Sequence, residues 1–311
     1  MRPLPEREAS LAAGEKAGAK ESPGLRYYLL ALLLCFLWGV GFTAMKVAVS
    51  ETGPYFFAWL RTLLAGVAVV FYLKLIFKDV SLRSPSWRPL LINALLSVLW
   101  NVATALGINL TTASRTAVIF YTQPILVAFM AHYLLKGDRL GLLKLLGVAL
   151  AFSGLVLIFS EKLGGWALRG DLLILASAFF WAFQTIYVKH YLGRENPFLV
   201  VAWQNLVGFP PIFALALLMG APVYLELSLT VAAAILYCGP VAVGFAVVLW
   251  VKMLQDYPAS RFSSFLFLTP VFGVLIGHLT LGDPLGGAMI LGVALVCGGI
   301  YLVNRPARES P

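Results

Sequence analysis

Charge is scarce in this chain, and negative charge scarcer still. Only 12% of the 311 residues are charged, against about 25% in an ordinary soluble domain, and 60% are hydrophobic. That balance excludes a soluble fold with a polar surface and places the chain in a membrane. Cysteine is nearly absent: Cys35, Cys238 and Cys297 lie inside apolar runs without CxxC pairing, which argues against a disulfide framework and for core positions. Histidine is as rare, at His132, His190 and His278. No clustered nucleophile and base, no set that would hold a metal and no cofactor motif emerges. An intramembrane enzyme is therefore a poor reading.

What the chain does have is long apolar runs. Crossing a ~30 Å hydrocarbon core takes about 20 helical residues, and such runs recur from Tyr27 to the C-terminus. They are continuously apolar, without the alternation of a membrane barrel. The expected fold is an all-α integral membrane protein with ten transmembrane helices, at 27–48, 54–77, 88–109, 114–135, 140–160, 170–192, 197–219, 229–251, 260–281 and 285–303. Residues 1–26 read as a disordered cytoplasmic tail, too poor in apolar periodicity to order themselves, and 304–311 as a short cytoplasmic tail. The first run is too long for a cleaved signal and reads as a retained anchor.

The net charge of +9 suggests nucleic acid only until the cations are placed. They sit in short loops, and with a cytoplasmic N-terminus 18 of the 23 Lys and Arg fall inside. Lys46, Arg61, Arg115, Lys162 and Arg169 are the remainder. This is the asymmetry of the positive-inside rule, so no nucleic-acid partner is expected. The partners are the bilayer and a small molecule. A bacterial inner (cell) membrane with both termini cytoplasmic is the expected location.

The chain also repeats itself. Trp38, Lys46 and Pro54 match Trp181, Lys189 and Pro197 at one offset of 143. Ala113-Ser114-Arg115, Pro124 and His132 match Ala259-Ser260-Arg261, Pro270 and His278 at 146, and Gly147-Val148-Ala149-Leu150 matches Gly292-Val293-Ala294-Leu295 at 145. Two units follow, 27–160 and 170–303. Each holds five spans, and an odd number forces the second unit to enter the membrane from the opposite side. Inverted repeats are a recurring architecture of secondary transporters, with the substrate at the midplane between them.

These residues resemble the drug/metabolite transporter superfamily, and within it the EamA family of paired five-helix units. The resemblance spans 27–303. It rests on Trp38-Gly39, Lys46, Pro54, Arg61 and the Ala113-to-Pro124 stretch repeated at Ala259-to-Pro270. Where the family often reads Gly-Glu at the end of the fourth helix, this chain has Gly137-Asp138 and Gly282-Asp283. Gln204 stands opposite Arg61, so any role of that arginine belongs to one half. The resemblance implies a metabolite exporter or importer.

Polar residues within the spans are the candidates for a site, because each must find a partner or face water. Asn93, Ser97, Asn101 and Thr104 form a stripe that either lines a cavity or glues helices together. Trp38 and Trp181, with Gln184 and Thr185 a turn along, are placed to bracket a substrate. Tyr121, Gln123 and Pro124 in the fourth span match Phe267, Thr269 and Pro270 in the ninth. Each proline frees a carbonyl that serves either as a ligand or a hinge, or makes a fixed kink. Arg61, seven residues into the second span, is suited to attract an anion. Lys46 and Lys189 are inverted equivalents, either gates or snorkelling cations. His132 and His278 read as packing or interfacial residues. Small residues at Gly147, Ala151, Gly154, Gly292 and Gly299 permit close helix contact, within one chain or in a homodimer.

No carboxylate falls mid-span, so a carboxylate proton relay is unsupported and facilitated movement or exchange is the simpler mechanism. Neither rings of charge nor a carbonyl filter suggests a channel. The expected function is a secondary transporter of small amino-acid-like or amphiphilic metabolites, an exporter working by alternating access. A nucleotide-sugar or organic-anion exchanger of the same superfamily is the alternative, and it calls for more than one cation mid-cavity.

Overall fold

The computed structural model describes residues 24–76, 84, 86–111, 113–160, 167–224, 227–281 and 287–305, without the side chains of 42, 43, 46, 113, 114, 277, 278, 280 and 281. The N-terminal tail expected over 1–26 falls almost wholly outside these residues, as do most of the C-terminal tail and Gly282-Asp283. Every regular element among the described residues is helical, as continuous apolar runs require where lipid cannot satisfy backbone groups.

The first helical run, Leu25–Ile76, has 52 residues, far more than one crossing needs. Gly53, at φ 74° and ψ 164°, turns the chain back, and Pro54 opens the second span. A side chain would be strained at that φ, whereas glycine adopts it freely. The first helix therefore runs to this hinge rather than stopping at residue 48. Spans three, five, six, seven and ten follow as Trp87–Leu110, Leu142–Phe159, Leu168–Tyr191, Pro197–Leu218 and Gly287–Asn304.

The other three spans are broken. Span four comprises Ala113–Phe120 and Gln123–Leu134, interrupted at Tyr121-Thr122. Pro124 lacks the N–H that would bond Phe120, and its ring crowds that carbonyl. Span nine runs through Ala259–Ser264, a 3-10 turn at Phe265–Phe267 and Leu268–Leu281. The turn sits just ahead of Pro270, at the depth matching the break in span four. Span eight joins Leu229–Leu236 to Ala246–Asp256 through a π-helical stretch, Tyr237–Phe245, that contains Pro240.

Ten spans in two inverted units of five thus make one bundle. Spans three and six pack along each other, as do five and ten, and the first helical run lies against spans seven and eight. The five–ten seam is built from the small residues. A Cβ on Gly299 would lie 2.4 Å from the Gly147 carbonyl oxygen, and one on Gly154 would lie 2.5 Å from that of Gly292. Only glycine allows backbones this close. The two glycine faces therefore meet within one chain rather than between two.

Candidate functional site

At the centre, where the two units face each other, lies a cavity of about 930 Å³, its open side included. Both units line it: Trp38, Met45, Arg61, Trp100, Thr104, Phe120 and Tyr121 come from the first, and Trp181, Gln184, Thr185, Gln204, Cys238 and Trp250 from the second.

Aromatic rings dominate the wall. Trp38 and Trp181 meet edge to face with centroids 5.7 Å apart, Trp250 lies 5.6 Å from Trp38 and 5.9 Å from Trp181, and Phe120 stacks on Trp181 at 5.0 Å. Trp100 lies 6.0 Å from Trp181. Trp38 and Trp181, expected to bracket a substrate, both lie on the wall and touch each other there, forming one continuous surface. Of the missed members, Trp100 carried the same signal, tryptophan well inside an apolar run, whereas Trp250 falls at the end of its expected span.

The polar groups of the wall are largely occupied by one another. Trp38 Nε1 donates to the Ala242 carbonyl at 2.8 Å, within the π-helical stretch. Trp100 Nε1 donates to Gln184 Oε1 at 2.7 Å, and Gln184 Nε2 donates to the Asn93 backbone and side chain and to Gln204 Oε1. Thr104 bonds the Trp100 carbonyl and Ser177. Thr185 donates to the Trp181 carbonyl and accepts from Gln123 Nε2. The stripe on span three is thus mainly interhelical glue, with Thr104 alone of its four members on the wall. Gln123 sits fully buried behind that wall, bonded to Thr185.

Arg61 is different. Its Nη2 donates to Asn101 Oδ1, and its Cζ lies 5.2 Å from the centroid of Phe57. Its Nε is buried with no hydrogen-bond partner. Asn101 is itself held by Nδ2 bonds to the Ser97 carbonyl at 2.9 Å and Ser97 Oγ at 3.2 Å. Among the described residues, Arg61 is the one charged side chain on the wall.

Phe267 is also corrected. It is 0% exposed and absent from the wall, packed toward Phe152 of span five at 6.5 Å. The 3-10 turn, with three residues per turn rather than 3.6, sets its direction differently from a regular helix. Its inverted equivalent Tyr121 does reach the cavity. Pro124 and Pro270 mark the breaks described above, and the nearby Phe265 carbonyl accepts from Cys35 Sγ at 3.1 Å.

The end of the bundle where Leu25 begins is tied across. Lys189 Nζ donates to the Gln255 and Tyr257 carbonyls, both at 3.1 Å, at the C-terminus of span eight, where helix carbonyls lack partners. Gln255 Nε2 returns the link to the Leu192 and Glu195 carbonyls. Asp138 accepts from Lys144 at 2.7 Å and from the Ser260 amide at 2.9 Å, and also bonds the Ser260 hydroxyl. Burial alone would raise the Asp138 carboxyl. Lys144 and the Ser260 hydrogen bonds outweigh that and hold it below the ordinary aspartate value. At the opposite end Arg115 pairs with Asp171, which also accepts from Thr111 at 2.8 Å. The side chains of Lys46 and His278 lie outside the described residues. His132 accepts from the Leu140 amide at 3.2 Å, away from the cavity.

Ten spans in two inverted copies, enclosing a mainly apolar cavity between them, define a multi-pass membrane transporter. The chain belongs to the EamA-like transporter family, whose model matches twice, at residues 25–160 and 168–305. Among its relatives is YoaV of Bacillus subtilis, an uncharacterized transporter, 26% identical over 86% of this chain and 92% of that one. Another is a probable amino-acid metabolite efflux pump of Salmonella typhimurium, 27% identical over 90% of this chain and 97% of that one. Its namesake in Escherichia coli is 26% identical over 88% and 93%. A protein solved by crystallography shares the fold at a TM-score of 0.78 and 19% identity, covering 92% of this chain and 99% of that one.

Proposed function

We propose that this protein is a secondary exporter of small amino-acid-like or amphiphilic metabolites, working by alternating access around the central cavity. The observation that carries the reading is the wall shared by the two inverted copies, with Trp38 and Trp181 in contact at the seam. A site built half from each copy changes its exposure when one copy rocks against the other. The efflux-pump names of two relatives support the direction and the substrate size. Lys189 serves as part of a gate at the Leu25 end, and Pro124 and Pro270 serve as hinges. The positive-inside asymmetry supports cytoplasmic termini in a cell membrane. With no carboxylate on the described wall, exchange or facilitated movement is favoured over a carboxylate proton relay.

The test is uptake and efflux of a mixed metabolite panel by the purified protein in liposomes, with and without a pH gradient. Saturable movement of one chemical class, indifferent to the gradient, is expected. Movement of nothing by folded protein would overturn the reading. For the topology, a reporter fused after Asn304 should be active only if it works in the cytoplasm.

A further inference from the structure

The cavity combines one incompletely bonded cation with aromatic walls. Trp38 and Trp100 donate their indole N–H groups to the protein itself, so what they turn to the cavity is ring surface. Gln184 has its oxygen and its nitrogen engaged. The unspent hydrogen-bonding capacity that stands out is the buried Nε edge of Arg61. Among the described residues no carboxylate pairs with that guanidinium, and its side-chain partner is the neutral amide of Asn101.

A buried cation without a counter-ion is costly, and a charge-assisted pair with an incoming anion relieves that cost. A free ammonium on the same ligand has the opposite problem. No described carboxylate lines the wall to receive it, and it would share the cavity with the guanidinium. A phosphate dianion is matched less well than a single carboxylate, because one cation faces it among the described residues.

Resting on the transport reading above, we infer that the substrate is an organic monocarboxylate with an aromatic or bulky apolar body and no free ammonium. Its carboxylate seats on Arg61 and its body lies against the Trp38, Trp181 and Trp250 wall. Amino acids thus fit after deamination or N-acylation, and the reaction that supplies the substrate removes or masks an α-amino group. Asn101 is a positioning residue that holds the guanidinium.

The test is binding to the full-length purified protein, using four probes with one ring: indole-3-acetate, indole-3-acetamide, tryptophan and tryptamine. The acetate should bind about tenfold or more tighter than each of the other three, one charge-assisted pair being worth roughly that factor. Arg61→Gln should erase the gap between acetate and acetamide, and Arg61→Lys should keep part of it. Trp181→Ala should weaken both equally. Tryptophan or tryptamine binding as well as the acetate would overturn the inference, as would an acetamide of equal affinity or an acetate that fails to bind. The wild-type series decides this even if Arg61→Gln fails to fold. Liposome flux separates the two levels. Arg61-dependent acetate binding without flux would sink the transport reading and spare the inference, whereas flux of tryptophan alone would do the reverse.

Discussion

The two copies of the repeat agree in scaffold and disagree in chemistry. Pro124 and Pro270 break equivalent helices at equivalent depth, Trp38 and Trp181 meet at the seam, and the glycines of spans five and ten interlock. Yet the first copy places Arg61 where the second has Gln204, and the second distorts span eight into a π-helical stretch where span three is regular. Symmetry suffices for a cavity that can open either way. On the inference drawn above, selecting a substrate needs a direction within that cavity, and Arg61, the one charged side chain on the described wall, supplies it.

The comparison breaks hardest where both copies depend on backbone contact. Gly299→Val should cost about 3 kcal/mol or prevent folding, because its Cβ would meet the Gly147 oxygen at 2.4 Å and the Ala151 nitrogen at 2.5 Å. Thermal unfolding in detergent reads the loss. Next comes the ligature at the Leu25 end. Asp138→Ala should cost about 1.5–3 kcal/mol through lost hydrogen bonds to a buried charge. Because the folded carboxyl is held below its unfolded value of about 3.9, its contribution is complete above that value and lost as pH falls through the lower folded one. Unfolding scans of wild type and Asp138→Asn should therefore converge at acid pH.

Smaller effects sharpen the contrast. Trp38→Phe removes the donor to the Ala242 carbonyl of the π-helical stretch, and should cost about 1 kcal/mol. Pro124→Ala and Pro270→Ala, assayed by flux, should each slow turnover about threefold, a difference of under 1 kcal/mol. A loss confined to one proline would show that the hinges are not equivalent.

Much of the fold was legible because lipid imposes it. Apolar length defines a span, an odd number of spans per copy defines the inversion, and Pro124 and Pro270 locate breaks by removing a donor. The π-helical stretch in span eight was not legible, since Gly239-Pro240 signals a disturbance without its form. The site was legible in part. Trp38, Arg61, Tyr121, Trp181 and Gln184 do reach the cavity, as polar or aromatic residues deep in apolar runs. Phe267 does not, because a 3-10 turn changes its facing. Nor does the span-three stripe reveal in sequence that its hydrogen bonds go to spans six and seven and to Arg61, since periodicity gives a face but not the neighbour behind it.

The central claim is that two equivalent halves expose one site alternately. Counterflow tests it most directly: liposomes holding the protein are preloaded with an unlabelled substrate from the panel, and entry of the labelled compound is followed. The account predicts transient accumulation above the outside concentration, accelerated by the internal pool. Entry that ignores the internal pool and only equilibrates would contradict it, and would describe a pore rather than a carrier.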